Sequence, residues 1–418
     1  MKKRILALLL GGIMVLGLAA CSSSGSQSPS PSASAPAASA PAESTPAEPA
    51  SAVKVGGIML HDENSGYDMA HIEGLTTACK NLGLDLDTQL IIKYNVPEDE
   101  NCYDAAVDLA EQGCTIIFSD SYGHQSYMQQ AASEFEDVIF VSCTGDNAAA
   151  SGLANLKNIF PYTYESRYVS GVVAGMKLKE LLDAGTVTDP YVGYVGAYPY
   201  AEVVSGYTAF FLGIRSIVPE AHMDVQYTQS WYDPAKESEA ANALMARGCV
   251  IIGQHADSTG APSAVQAALD GGKTAYSVGY NVDMLSVAPA AALTSAQNVW
   301  SVLYQTTLDK FLKGEEIPAD FATGIKDGAV SISALGQSCA EGTAEKVEEV
   351  WAGLKDGSLN IFDCANFTVG GEHLTSYTES YGMNGAETIT DGVFYESVIR
   401  SAPYFDLRID GITELTAE

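Results

Sequence analysis

The stretch CVIIGQHADSTGAPSAVQAALDGG, Cys249 to Gly272, decides the fold of this chain. Its branched apolar run ends at His255, a small polar cluster follows, and a helix-forming segment then runs to a pair of glycines. A short apolar run followed directly by a helical segment predicts one strand–helix unit of a parallel sheet. His255 and Asp257 stand at the strand end, where they fit a catalytic pair, a metal site, or two polar groups that hold a ligand.

The same alternation extends in both directions. The runs VKVGGIML, DTQLIIKYNV, CTIIFS, VIFVSCTG, YVGYVGAY, HMDVQYTQSW and TAYSVGYN are predicted strands, and helical segments separate them. Strands that alternate with helices predict βαβ units and parallel sheets, hence an α/β fold. The body of about 365 residues from Val53 exceeds the roughly 250 to 300 residues at which a single core stops growing, so we expect two lobes.

The lobe boundaries follow the rhythm of the pattern. Residues 53–160, together with about 291–360, are expected to form the N-terminal lobe, and residues 161–290 the C-terminal lobe. The segment SAQNVWSVLYQTTLDKFLKG, 295–314, is predicted as a helix of the N-terminal lobe. The turn-rich tail, 361–418, is assigned to neither lobe.

The chain begins with MKKRILALLLGGIMVLGLAAC, in which three basic residues precede a short apolar run. This arrangement predicts a signal peptide over 1–20, and LAAC resembles the bacterial lipobox, whose cysteine carries the lipid. We therefore expect Cys21, with palmitate among its acyl chains, to anchor the protein at the extracytoplasmic face of the cell membrane. Residues 21–52, rich in Ser, Ala and Pro, predict a disordered tether. No later segment has the roughly 20 apolar residues of a membrane helix.

Charge limits the classes of partner. The chain has 21 Lys and Arg against 52 Asp and Glu, a net charge of −31, and loss of the three basic residues of the signal peptide gives −34 (−31 − 3). Such a body repels a phosphate backbone, which argues against nucleic acid as a partner. It favours a neutral or cationic small ligand.

The cysteines carry little information about function. Seven follow Cys21, an odd number without CxxC spacing, which argues against a zinc or redox site. Cys114 and Cys249 lie in apolar runs and are expected to pack as small hydrophobic residues. Cys339 and Cys364 are candidates for a disulfide that the sequence alone does not establish.

Enzyme signatures are missing from the chain. GxSxG, GxGxxG and Walker A sequences do not occur, which disfavours a hydrolase, a dinucleotide enzyme and a nucleotide hydrolase. A metal site is the sharper rival, because His61, His71 and His124 accompany His255, but HxxH and HxxE spacings do not occur. We expect no catalytic residue, no metal and no cofactor.

Polar and aromatic residues collect after the predicted strands, in HDENSGY, SDSYGH, WYDP, HADS and NVDM. Ligands of open α/β sheets bind at the carboxyl ends of strands, so these five loops are expected to converge on a cleft between the lobes. Six rings that suit a planar ligand fall there: Tyr67, Tyr122, Tyr198, Tyr200, Trp231 and Tyr232. Asp257 and Asn281 are expected to hydrogen-bond that ligand, and His255 to brace its loop.

Several segments resemble the basic membrane protein family of lipid-anchored, purine- or nucleoside-binding proteins of ABC transporters. They are IFPYTYESRYVSGVVAG (159–175), VGYVGAYPYAEVVSGYTAFFLGIRSIVPEA (192–221), QSWYDPAKESEAANALMARG (229–248), GQHADS (253–258) and VGYNVDM (278–284). The resemblance runs from Val53 and weakens after about Gly314. It implies a periplasmic-binding-protein type I fold with two Rossmann-like lobes, a monomer without enzymatic activity, and an ABC permease and ATPase as partners.

The resemblance also implies site residues. Trp231 and Tyr67 would stack on the purine ring, Ser121 and Tyr122 would line the N-terminal side, and Asp257, Asn281 and Asp283 would bind polar atoms of the ligand. The nucleoside-binding branch has Asp in place of Asn281 and Lys in place of Asn298, and these departures favour a free base. A ligand sensor for a signalling receptor and a nucleoside-acting enzyme stay open as alternatives.

Overall fold

The computed structural model describes residues 53–378 and 385–415. The predicted signal peptide, Cys21 and the tether lie outside the described residues. Over the described ranges, no helix has the length and apolar character that crossing a membrane requires. The prediction of an α/β fold with two parallel-sheet lobes is confirmed, because the strands form two separate large sheets.

The first sheet belongs to the N-terminal lobe. Its strands are β1 (Val55–Ile58), β2 (Leu90–Lys93), β3 (Ile116–Ser119), β4 (Ile139–Ser142), β5 (Leu156–Pro161) and β11 (Asp320–Thr323). All are parallel and lie in the order β11–β5–β4–β3–β1–β2. β1 and β3 are buried throughout, as expected for strands covered by helices on both faces.

The second sheet belongs to the C-terminal lobe. Its strands are β6 (Tyr191–Gly196), β7 (His222–Tyr227), β8 (Ile251–His255), β9 (Tyr276–Tyr280), β10 (Ala292–Asn298), β12 (Val330–Ile332) and β15 (Ile412–Leu415). They lie in the order β12–β10–β9–β8–β6–β7–β15, and only β12 runs antiparallel to its neighbour. A hairpin of β13 (Ile389–Thr390) and β14 (Val393–Phe394) lies in the tail.

Helices cover both sheets. They are α1 (Gly66–Asn81), α2 (Leu86–Gln89), α3 (Glu100–Glu111), α4 (Gln125–Glu134), α5 (Ala148–Ser151), α6 (Thr163–Asp183), α7 (Ala201–Arg215), α8 (Pro234–Ala246), α9 (Gly260–Asp270), α10 (Trp300–Lys313) and α11 (Thr343–Asp356). Capping side chains explain where several begin. Asp233, for example, accepts hydrogen bonds from the amides of Ala235 and Lys236, and Pro234 opens α8.

The chain passes between the lobes three times. It leaves the first sheet after β5, returns from β10 into α10, and leaves again between β11 and β12. Each crossing connects the carboxyl end of a strand to the other lobe, so the loops that follow the strands of both sheets face one another. This arrangement places the predicted polar loops at the cleft.

The structure differs from the predicted elements in two places. The segment 295–314 is not one helix, because residues up to Asn298 extend β10, where Thr294 and Ser295 are buried and bonded to Ser333. Residues 87–89 of the predicted strand 87–96 belong to α2 instead, because Asp85 caps the amides of Asp87 and Thr88. Tertiary and capping contacts decide both segments.

The stretch 291–360, which the sequence analysis placed in the N-terminal lobe, is divided between the lobes. Only α10 and β11 join the first lobe, whereas β10, β12 and α11 belong to the second. The tail packs on the second lobe, where β15 pairs with β7 and Phe362, Phe394 and Phe405 join the core. Cys339 and Cys364 are free, like the other five described cysteines.

Two glycines allow α6 and α7 to approach closely. A Cβ atom at Gly171 would lie 2.0 Å from the carbonyl oxygen of Phe210, and one at Gly213 would lie 2.1 Å from that of Tyr168. The atoms that a Cβ would meet at Gly171 and Gly213 belong to the backbone of the facing helix, so they cannot move aside as a flexible side chain could. The helix pair that covers one face of the second sheet therefore depends on these glycines.

Gly171→Ala should lower the free energy of unfolding by about 1 to 3 kcal/mol, because the added methyl group forces the helices apart. Gly353→Ala in α11 is the matched control, since a methyl group there meets only side-chain atoms of Ser358 and Leu359, the nearest at 3.1 Å. Ala exceeds Gly in helix propensity by about 1 kcal/mol, so the control should be neutral or stabilising. Urea denaturation measures both, and equal destabilisation would contradict the packing argument.

Candidate functional site

A cavity of about 360 Å³ lies between the carboxyl ends of the two sheets. Its walls combine both lobes: Leu60, Tyr67, Asp68, Asp120, Ser121, Tyr122 and Thr144 come from the first, and Glu202, Trp231, His255, Asp257 and Tyr280 from the second. Five of the predicted site residues, Tyr67, Ser121, Tyr122, Trp231 and Asp257, meet here.

The other two predicted residues do not line this cavity. Asn281 has a left-handed backbone (φ 61°), and its side-chain amide donates to Asp257 Oδ1 over 3.3 Å. Asp283 accepts a hydrogen bond from the amide of Leu285 and so caps a short helical turn. Both residues border a separate depression beside α1 and α10.

The first-lobe wall holds two buried carboxyl groups. Asp68 accepts the amide of His61 at 2.6 Å and faces the His61 ring nitrogen at 3.3 Å. Burial alone would raise its pKa, but hydrogen bonds from His61 and Ser65 hold the pKa below its ordinary value. Asp120 accepts the amide of Leu60, and burial together with the charge of Asp68 raises its pKa well above the ordinary value. Burial and the charge of Asp68 therefore favour the protonated form of Asp120, whereas the hydrogen bonds to Asp68 favour its ionised form.

Asp257 is the carboxyl group of the second-lobe wall. Its amide donates to the carbonyl of Trp231 at 2.9 Å, which ties the loop after β8 to the loop after β7. Burial, followed by the charges of Asp68 and Glu237, raises the pKa of Asp257 well above its ordinary value. These surroundings favour the protonated form of the side chain, which can both donate and accept hydrogen bonds.

His255 is not paired with Asp257. Its Nε2 lies 3.3 Å from Glu202 Oε1, and burial together with the nearby Arg167 lowers the pKa of the ring well below its ordinary value. Arg167 is itself buried, donates to the carbonyl of Gln254 at 2.6 Å and stacks 3.6 Å from the ring of Tyr280. His255 therefore forms part of the cavity wall together with Glu202 and Arg167, and it does not form a hydrogen-bonded pair with Asp257.

The predicted rings form two groups. Trp231 packs edge-on against Tyr198 at 5.2 Å, and Tyr198 stacks on Tyr200 at 5.1 Å, so these three belong to the second-lobe side. Tyr67 lies across the cleft, where its hydroxyl donates to the carbonyl of Cys143. Tyr232 contacts His61 at 5.6 Å and does not line the cavity.

The two lobes are in direct contact at the cleft. The amide of Gly66, the first residue of α1, donates to the carbonyl of Asp257 at 3.0 Å. A Cβ atom at Gly66 would lie 3.2 Å from that oxygen and 3.2 Å from Val282. The cavity is therefore enclosed between lobes that touch, and glycine at position 66 allows this approach.

Several wall residues were missed by the sequence analysis. Asp120 lies within the quoted loop SDSYGH. Asp68 and Glu202 lie in the first turns of α1 and α7, where an acidic residue is ordinarily explained by its stabilisation of the helix N-terminus. Arg167 was detectable as a cation in the first half of α6, ahead of Lys177 and Lys179. Among residues 53–378 and 385–415, no group of three or more His, Cys, Asp or Glu side chains is placed to hold a metal ion.

Comparisons with known proteins cover most of the chain that follows the tether, and leave out the tail in the family match. Residues 57–357 match the family model described as Bmp, ABC transporter substrate-binding protein PnrA-like. A purine-binding protein of Brucella abortus is 31% identical over 311 residues, which cover 74% of this chain and 83% of that protein. A putative ABC transporter glucose-binding protein of Haloferax volcanii is 31% identical over 253 residues, 60% of each chain.

Solved structures with low identity share the fold. An ABC transporter solute-binding protein of Aeropyrum pernix superimposes with a TM-score of 0.62 at 15% identity, over 77% of this chain and 94% of its own. One from Conexibacter woesei gives 0.58 at 20% identity, over 74% and 98%. A structure described as a transcriptional activator of the comK gene from Bacillus halodurans gives 0.59 at 20% identity, over 73% and 99%.

Glu202 makes stability depend on pH. Burial raises its pKa from 4.5 to about 7, against the opposing effect of Arg167, so the folded state holds a proton that the unfolded state releases between those values. Stability contributed by this proton falls as pH rises from about 4.5 to about 7. Glu202→Gln should therefore stabilise the protein by up to about 3 kcal/mol at pH 8 and much less at pH 5.

Thermal or urea unfolding of both proteins at the two pH values measures this difference. Glu136→Gln, at an exposed glutamate, is the control and should change stability little at either pH. A gain for Glu202→Gln of the same size at pH 5 and pH 8 would show that the carboxyl group is not held protonated by burial.

Proposed function

Because the chain belongs to the PnrA-like family of ABC transporter substrate-binding proteins, we propose that it captures a purine base or nucleoside between its lobes and delivers it to a permease for uptake. The family membership confirms the resemblance noted in the sequence. Proteins of this family are extracytoplasmic and work with a permease and an ATPase. The observation that carries the purine proposal is the cavity lined by Tyr67 of one lobe and by Trp231 and Asp257 of the other.

The lining suits a flat heterocycle with polar edges. Aromatic faces from both lobes stack on a planar ring, and the energy of base–aromatic stacking is about 1 to 3 kcal/mol per base. The neutral acids Asp120 and Asp257 can each donate to a ring nitrogen or accept from an amine, while ionised Asp68 only accepts. The negative charge of ionised Asp68 disfavours an anionic ligand at this cavity.

The remaining predictions become parts of this proposal. We propose that Asn281 orients Asp257 rather than contacting the ligand, and that Asp283 shapes the adjoining turn. Asn298 accepts a hydrogen bond from the hydroxyl of Thr163 at 2.9 Å, at a crossing between the lobes. We propose that the presence of Asn at this position, where the nucleoside-binding branch has Lys, affects the hinge. We also propose lipid attachment at Cys21, a monomeric receptor, and a site without catalytic activity.

Calorimetry with adenine, guanine, hypoxanthine, their nucleosides and glucose tests the proposal. We expect heat of binding with at least one purine and none with glucose, and we expect chromatography to recover the nucleosides unchanged. Glucose is included because the Haloferax relative is named as glucose-binding. Binding of glucose without any purine would overturn the purine assignment, and hydrolysis of a nucleoside that Asp257→Ala abolishes would establish an enzyme.

Trp231→Ala should weaken purine binding by about 1 to 3 kcal/mol, since the indole is expected to stack on the ring. Trp351→Ala is the matched control, because Trp351 packs partly buried on the second-lobe core and does not line the cavity. Titration calorimetry compares the two variants with the unchanged protein. Equal affinity of Trp231→Ala and Trp351→Ala would assign Trp231 to packing alone.

A further inference from the structure

A second cavity, of about 890 Å³, adjoins the first. The two share Tyr122, Thr144 and Glu202, so a ligand held in the first cavity can extend into the second without leaving the cleft. The residues that matter below are found only in the second cavity: Asp146, Ala201, Arg400, Ala402, Asp406 and Arg408. The last four belong to the tail, beyond the residues 57–357 that match the family.

The tail is tightly packed at this point, and Phe362 and Phe405 share a buried core with Tyr207 and Phe210 of α7 in the second lobe. The carboxylate of Glu396 accepts the amides of Tyr404 at 2.7 Å and Phe405 at 2.6 Å. Phe405 stacks on Phe362 at 4.5 Å with an interplanar angle of 17°. The segment that forms the outer wall is therefore a fixed part of the fold.

The same segment also reaches the first lobe. The amide and hydroxyl of Ser401 both donate to Asp320 Oδ1, at 3.0 and 2.9 Å. Arg400 Nη1 lies 3.6 Å from Asp146 Oδ2, which also accepts the hydroxyl of Tyr122. The second cavity is thus bounded by both lobes and by the tail, and its walls meet only when the lobes are close.

The chemistry of the walls selects one class of substituent. Asp146 and Asp406 offer acceptors, while Arg400 and Arg408 offer donors, and a hydroxyl group can use both kinds because it donates and accepts. Each guanidinium is already paired within the fold, Arg400 Nη1 with Asp146 Oδ2 at 3.6 Å and Arg408 Nε with Glu414 Oε1 at 2.9 Å, so a phosphate group would have to compete with these carboxylates. The hydroxyl of Thr144, which borders both cavities, is buried and lacks a hydrogen-bond partner among the described residues.

We propose that the tail builds a second compartment of the binding site, which takes an uncharged, hydroxylated substituent such as a pentose on the planar ring held in the first cavity. This inference rests on the proposed purine-binding function and adds which purine derivative is preferred. The tail wall then favours a nucleoside over both the free base and the nucleotide. It also opposes the preference for a free base that Asn281 and Asn298 suggest.

Titration calorimetry with hypoxanthine, inosine and inosine 5′-monophosphate tests the compartment. Inosine should bind about tenfold more tightly than hypoxanthine, through hydrogen bonds to the added sugar, and more tightly than the monophosphate. Ala201→Phe places a ring at the start of α7, inside the second cavity only. It should weaken inosine binding about tenfold or more and change hypoxanthine binding by less than about twofold.

A matched threonine pair provides an independent measurement. Thr144→Val should lower the ratio of inosine to hypoxanthine affinity about threefold to tenfold, because it removes a hydroxyl that borders both cavities. Thr208→Val removes an equally buried, unpartnered hydroxyl that lines neither cavity, so it should leave the ratio unchanged. This pair decides the question even if Ala201→Phe fails to fold.

The outcomes separate the two proposals. If hypoxanthine binds but inosine binds no more tightly, or if Ala201→Phe and Thr144→Val weaken both ligands equally, the compartment is overturned and the purine receptor stands. If none of these three ligands binds, and adenine, guanine and their nucleosides do not bind either, the purine-binding function itself fails, and the compartment fails with it.

Discussion

The hydrogen bond from the Gly66 amide to the Asp257 carbonyl holds the two lobes together at the point where their sheets face each other. This bond joins the start of α1 to the loop after β8. The carboxyl ends of the strands of both sheets therefore border one cavity. Because Gly66 has no side chain, the helix start and the loop approach closely enough to enclose the site. Ring stacking, carboxyl groups and the tail wall all depend on that approach.

Buried acidity is the second feature of the site. One small cavity is lined by four acidic residues, Asp68, Asp120, Glu202 and Asp257. The buried cation Arg167 lies near Glu202 and Asp257, on the second-lobe side. Ionising all four would be costly in such a setting, so protons are retained on some of them. The site therefore presents neutral donors as well as a charged acceptor, a mixture that suits a heterocycle with both kinds of edge atom.

Sequence patterns predicted the fold and half of the site for a physical reason. Trp231 and Asp257 follow strands directly, and the ends of parallel strands converge, so their meeting was predictable. Asn281 also follows a strand, but its left-handed backbone turns the amide toward Asp257. Glu202 and Asp68 lie inside helices, where only the three-dimensional path shows that they face the cleft. The last four residues of β10, Ser295 to Asn298, were predicted as helix because Ala and Gln favour helices, whereas the pairing of β10 with β9 determines the structure.

The order of strands in the two sheets has a consequence for how the molecule is made. β11, at the edge of the first sheet, and β15, at the edge of the second, come from late in the chain. The tail wall lies between these two strands in the sequence. A nascent chain that has emerged only to Asn281 completes neither sheet. The first lobe must therefore wait for β11 and the second for β15, so the order of synthesis delays completion of the second lobe until after that of the first.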